Sequence, residues 1–179
     1  MKPFEPFHIV LVEPEIPPNT GNIARLCGAT RTVLHLVGKL GFATDDRTLK
    51  RAGLDYWHAV DIRYWSLLAE LQDAFPGRRF IYTSKKAAMC YVDMSFREGD
   101  FIVFGKETRG IPDELLAANP ETCVRIPISW LRSKLSSARR LSAVRLPSRS
   151  ISAAKMVLAV VTTKNKRSDF VTETRKHGV

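Results

Sequence analysis

The run Phe101-Ile102-Val103-Phe104, followed at once by Gly105-Lys106-Glu107-Thr108-Arg109-Gly110-Ile111-Pro112, constrains this chain more than any other stretch. Four consecutive apolar residues without polar alternation fit a strand buried on both faces, as in a parallel sheet covered by helices. Asp113-Glu114-Leu115-Leu116 then reads as a helix, with Pro112 in its first turn, where a missing N–H costs nothing. The loop carrying Glu107 and Arg109 therefore lies at a strand's carboxyl end, where open α/β sheets hold their ligands.

The rest of the chain repeats that alternation. His8-Ile9-Val10-Leu11-Val12 and Val33-Leu34-His35-Leu36-Val37 read as buried strands, the second closed by Gly38. Between them Glu13-Pro14-Glu15-Ile16-Pro17-Pro18 continues neither strand nor helix, and a helix opens around Gly21-Asn22 with Ile23, Leu26 and Cys27 on one face. A short helix over Asp45 to Arg51, a strand over Ala59 to Tyr64 and an amphipathic helix over Ser66 to Phe75 follow. Further strands are Phe80 to Thr83, Asp100 to Phe104 and Cys123 to Pro127. The expected fold is α/β, a mostly parallel sheet with helices on both faces. Neither G-x-G-x-x-G nor G-x-x-x-x-G-K-[ST] occurs, so the dinucleotide and nucleoside-triphosphate fingerprints are absent.

The charge is uneven. Residues 1–129 are neutral, whereas residues 130–179 hold 12 Lys and Arg against Asp169 and Glu173, which is the whole net charge of +10. A basic segment of that kind favours an acidic partner such as nucleic acid. Cys27, Cys90 and Cys123 are widely spaced and odd in number, so they read as small buried thiols, with no metal-ligand pattern. The N-terminus lacks signal-peptide architecture, and the longest apolar run, Met156 to Val161, is too short for a bilayer. A cytoplasmic protein with no membrane partner is expected.

Three ordered segments resemble a known family. Asn19-x-Gly21-Asn22-Ile23-x-Arg25-x-Cys27, Phe104-Gly105-x-Glu107-x-x-Gly110-Ile111-Pro112 and Arg125-Ile126-Pro127-Ile128 are similar to the motifs of SPOUT-superfamily RNA 2′-O-methyltransferases. Leu40-Gly41-Phe42, Asp45-Asp46 and Arg51-Ala52-Gly53-Leu54-Asp55-Tyr56 resemble the YibK/TrmL branch, which methylates the wobble-position ribose of certain tRNAs. The resemblance spans about residues 7 to 129. It implies a parallel α/β sheet closed by a deep trefoil knot, S-adenosylmethionine as methyl donor, tRNA as partner and a homodimer. It names the activity as a tRNA (cytidine/uridine-2′-O-)-methyltransferase.

The resemblance also assigns residues. Arg25, Asn19 and Glu107 would stand at the reaction centre, and Thr83, Gly105, Ile126 and Ser133 would hold the donor. Arginine stays protonated in proteins, so Arg25 suits clamping the target phosphate and stabilising a developing oxyanion better than acting as a base; its bland alternative is a surface arginine. Asn19 would orient the loop or the substrate, or else make an Asx turn or helix-entry cap. Asn22 is open to the plain reading of a helix N-cap. Glu107 would fix Arg25 or Asn19 by a charge-assisted hydrogen bond, or stand as a solvated carboxylate. Gly105 would let backbone approach the donor, or simply end a strand in a turn. Lys106 and Arg109 read as phosphate contacts or solvated charges. His35 reads as a core histidine, and packing is the better reading of Tyr56, Trp57 and Trp65 than base stacking.

After Ser129 the family's serine-asparagine-leucine-serine run and its Tyr-Glu helix do not follow. Trp130 to Arg140 carries only faint echoes, at Arg132-Ser133 and Leu135-Ser136, and a Ser/Arg-rich stretch continues to Ser150. The chain therefore divides into a methyltransferase core, 1–129, and an atypical basic segment, 130–179, in place of the knot-closing helix. Either the segment is a genuine basic tail that grips tRNA phosphates, or a reading-frame shift near Ala138 has replaced the family's helix. A non-catalytic RNA-binding relative and a ribosomal RNA ribose methyltransferase stay open as alternatives.

Overall fold

The computed structural model describes residues 5–43 and 57–126. Within them the elements are β1 (His8–Val12), α1 (Pro17–Thr30), β2 (Val33–Val37), β3 (Ile62–Trp65), α2 (Leu68–Ala74), β4 (Phe80–Thr83), β5 (Phe101–Phe104), α3 (Asp113–Ala118) and β6 (Cys123–Val124). The six strands form one sheet in the order β3-β2-β1-β5-β4-β6. Every pairing is parallel.

Parallel strands explain the apolar runs, because both faces are covered. Ile9, Leu11, Leu34, Leu36, Ile81 and Ile102 pack on one side against Ile23, Ala24 and Cys27 of α1 and against Tyr91, Met94 and Phe96. Val10, Val37, Phe101, Val103 and Tyr82 pack on the other against Leu71 of α2 and the half-buried Leu115 and Leu116 of α3. The expected two-faced α/β sheet is present. No helix among the described residues is long and apolar enough to cross a membrane.

Several boundaries move, for local reasons. Helix α1 begins at Pro17, four residues before Gly21. Two prolines block a helix interior but not its first turn, where the N–H groups have no intrahelical partner. Asn22 is therefore the sixth residue of α1 rather than its N-cap, which is Ile16, while Asn19 sits in the first turn. The third strand is Ile62–Trp65, not Ala59 to Tyr64, since Trp57–Ala59 form a 3-10 turn. Leu67 precedes α2 and is exposed, so of the expected apolar stripe Leu71 alone is fully buried. The short helix over 45–51 and the Gly53-Leu54-Asp55-Tyr56 segment lie outside the described residues.

Strand order matters more than boundaries. The chain runs outward from β1 to β2 and β3, crosses to β4, then returns to insert β5 between β4 and β1. Strand β6 pairs with β4 on the side away from β5. The segment after β4 binds the residue that follows β6: Tyr91 N–H donates to the Arg125 carbonyl at 3.0 Å and Arg125 N–H to the Met89 carbonyl at 2.7 Å. The knot-closing segment that the resemblance implies begins after residue 126 and lies outside the described residues, as does the whole 130–179 segment.

Candidate active site

Strand β1 has β2 on one side and β5 on the other, and Leu11 is in register with Phe104. The loops after β1 and β5 therefore leave the sheet side by side. This is the switch point at which an open α/β sheet forms its crevice.

The loop after β1 does little to hold itself. Pro14, Pro17 and Pro18 donate no backbone hydrogen bond, Glu13 is left-handed with φ 47°, and Ile16 at the start of α1 has no side-chain cap. Neighbouring loops hold it instead. Glu13 N–H donates to the Val37 carbonyl at 2.8 Å and Gly41 N–H to the Pro14 carbonyl at 2.9 Å. A Cβ on Gly41 would stand 2.8 Å from Glu15 Cα, closer than side-chain carbons approach backbone, so only glycine fits there.

On the other side three consecutive residues of the β5 loop engage it. Lys106 pairs with the Glu13 carboxylate. Glu107 accepts from Glu15 N–H at 2.8 Å, Ile16 N–H at 3.4 Å and Asn19 Nδ2 at 3.3 Å. Thr108 donates its N–H at 3.1 Å and its hydroxyl at 2.8 Å to Glu15 Oε2. Glu107 thus receives the two backbone N–H groups that lead into α1, beside the positive end of the helix dipole, a position that favours a carboxylate. Of the two partners weighed for Glu107, Asn19 is bonded to it.

The β5 loop is closed on itself. Lys106 and Gly110 form an antiparallel bridge, and Gly110 N–H donates to the Lys106 carbonyl at 2.8 Å. A Cβ on Gly105 would fall 2.2 Å from the Gly110 carbonyl carbon. The space beside Gly105 is filled by its own loop, so closure of the loop already demands glycine. Gly110 itself is left-handed, with φ 73°.

The remaining assigned residues are placed as follows. Arg25 is exposed on α1, six residues beyond Asn19. The hydroxyl of Thr83, at the carboxyl end of β4, donates to the Val103 carbonyl at 3.0 Å, which ties its side chain to the sheet. Ile126 follows β6, half-buried against the core on the α1 side. Ser133 lies outside the described residues. Arg109 is exposed at the loop's tip. Lys86, on the loop after β4, grips the Asp113 carboxylate at 2.6 and 2.7 Å.

Glu13, Glu15 and Thr108 were missed as site residues. The trace they leave is the alternation Glu13-Pro14-Glu15 before Pro17-Pro18: acceptors placed where the backbone has few donors. Among the described residues no three of His, Cys, Asp and Glu group closely enough to hold a metal. Cys27, Cys90 and Cys123 are free thiols.

The SpoU rRNA methylase family matches the chain over residues 6–133. A Listeria innocua protein provisionally named tRNA (cytidine(34)-2′-O)-methyltransferase is 52% identical over 127 residues, 69% of this chain and 75% of its own. The protein of that name from Methylovorus glucosotrophus is 47% identical over 123 residues, 68% of this chain and 80% of its own. A solved structure described in terms of 2-OH methylation of C/U34 on tRNA is 35% identical, with TM-score 0.65, covering 91% of this chain and 95% of its own. An AdoMet-bound rRNA methyltransferase from Sinorhizobium meliloti, 19% identical with TM-score 0.58 over 89% of this chain and 57% of its own, shares the fold.

Proposed function

The chain belongs to the SpoU rRNA methylase family, and from that premise we propose that it methylates the 2′-hydroxyl of a tRNA ribose at the wobble nucleotide of the anticodon. The substrate is read from the relatives of 42–52% identity named for cytidine 34. The observation that carries the reading is the bond between Asn19 and Glu107, which joins the first and second motif segments across 88 residues of sequence at the sheet's switch point.

S-adenosylmethionine, when bound, supplies a methyl on a sulfonium and leaves as a neutral thioether. The residues present suit it in kind: Thr83, Gly105 and Ile126 mark the carboxyl ends of β4, β5 and β6, where an open α/β sheet holds its ligand. These three would hold it through backbone groups, since the Thr83 hydroxyl is already bonded. What the protein adds is position. Asn19, held by Glu107, orients the entering ribose, and Arg25 clamps the phosphate and stabilises negative charge on the 2′-oxygen. The same reading takes the protein as a cytoplasmic homodimer.

Labelled methyl should pass from S-adenosylmethionine to tRNA and be found at ribose 34 after nuclease digestion. Arg25→Ala should lose at least about a hundredfold in kcat with donor affinity unchanged. Undiminished transfer by that variant removes Arg25 from the reaction. The rival, a non-catalytic RNA binder, draws on the charge of residues 130–179 and predicts salt-sensitive tRNA binding with no transfer by the wild-type chain.

A further inference from the structure

We infer that Glu15 and Thr108 are positioning residues of this methyl transfer, locking the loop after β1 onto the loop after β5 so that the ribose side of the site keeps a fixed distance from the donor side. The inference rests on the function proposed above.

The lock is reciprocal. Glu15 gives its backbone N–H to the Glu107 carboxylate at 2.8 Å, and its own carboxylate receives both the N–H and the hydroxyl of Thr108. The Lys106–Glu13 ion pair and the Glu107 carboxylate tie the start of the β5 loop across. A second set of bonds running the other way, one residue along, fixes the turn of that loop to Glu15 as well. Neither loop can take up the strain elsewhere: Gly41 backs the Glu15 backbone on the far side, and the Lys106–Gly110 bridge makes residues 106–110 one rigid turn. What Thr108 does to Glu15 is therefore passed to Ile16 and the first turn of α1, which carries Asn19 and, further on, Arg25. On the other side it is passed to Gly105.

Thr108 is exposed and Glu15 half-buried. Hydrogen bonds between such groups exchange with water at little net gain, so they contribute little to the stability of the fold. Site geometry is more sensitive, because transfer rates fall steeply when reacting groups are displaced by a fraction of an ångström. Turnover and stability should therefore separate.

The test compares Thr108→Val, Thr108→Ser, Glu15→Gln and the double variant Glu15→Gln/Thr108→Val with the wild-type chain in tRNA methylation, varying donor concentration, alongside thermal melts. Thr108→Val should lose about tenfold in kcat, with KM for the donor within about twofold and the melting midpoint within about two degrees. Thr108→Ser, which keeps the hydroxyl, should restore wild-type kcat. Glu15→Gln should lose less than Thr108→Val, and the double variant should fall no further than Thr108→Val, since the two act through one contact. Wild-type kcat in Thr108→Val overturns the inference alone. So does a loss shared by Thr108→Ser, a loss matched by a lowered midpoint, or additive losses in the double variant. A wild-type chain that transfers no methyl overturns the functional reading and this inference with it.

Discussion

His8 and His35 share a hydrogen bond inside the sheet, Nδ1 of one to Nε2 of the other at 2.9 Å, although 27 residues separate them. Trp65 Nε1 donates to His35 Nδ1 at 2.9 Å. An indole is only a donor, so that ring nitrogen carries no proton. His35 is then the Nε2–H tautomer and donates to His8. Phe101 stacks on His8 at 4.1 Å and Phe75 closes the group. The expectation that His35 is a core histidine with a partner is met, and Trp65 is packed rather than free to stack a base.

This pair makes the fold acid-sensitive. Burial, with the nearby Arg63 charge, lowers the His8 pKa from 6.5 to about 4; burial, then His8 and Arg63, lowers that of His35 to about 3. The folded state thus resists protonation that the unfolded chain accepts below pH 6.5, and stability present above that pH is lost as pH falls toward 4. Urea midpoints between pH 7 and 4 should show the decline, and His35→Leu, which removes one of the two buried imidazoles, should make it shallower. An equal decline in that variant assigns the acid sensitivity to other groups.

Glu107→Ala should act on α1 before it acts on any substrate. It leaves Glu15 N–H, Ile16 N–H and the Asn19 amide without their acceptor. A loss of about 1–3 kcal/mol is expected, the cost of leaving part-buried donors without an acceptor. Denaturant unfolding measures it, and unchanged stability would mean that water replaces the carboxylate.

Gly105→Ala should disrupt the β5 loop even without ligand. Its methyl would meet the Gly110 carbonyl carbon at 2.2 Å and Ile111 N at 2.5 Å, backbone atoms that cannot swing aside. A cost of about 1–3 kcal/mol is expected for such overpacking. If Gly105→Ala keeps wild-type stability and loses only donor binding, the glycine serves the ligand and not the loop.

Thiol labelling should rank the cysteines. Cys27 is fully buried, and burial pushes its thiol up to about 12; burial also raises Cys123. Cys90 is half-buried. Under native conditions one thiol, Cys90, should react quickly, with the others following global unfolding. Fast labelling of Cys27 would contradict the packing of α1 on the sheet.

Strands were legible because they are short, β-branched and apolar on both sides: β1, β2 and β4 run as their residues indicate, and β5 starts one residue late. Helix starts were less legible. Pro17-Pro18 reads locally as a break, and whether it ends one segment or begins the next depends on what the following residues pack against. Asn19, Glu107 and Gly105 were recognisable as candidates. Glu15 and Thr108 were not, since a glutamate and a threonine in loops carry no local signature.

The sequence by itself determined the α/β alternation, the apolar faces and the motif segments, all of which depend on neighbours a few residues away. Only the tertiary structure decided that Glu107 would receive the backbone entering α1 and that Glu15 would meet Thr108, 93 residues on. That meeting follows from the insertion of β5 beside β1. Strand order is a global choice, set by how six strands and their crossovers bury the most apolar surface together, and no local propensity encodes it.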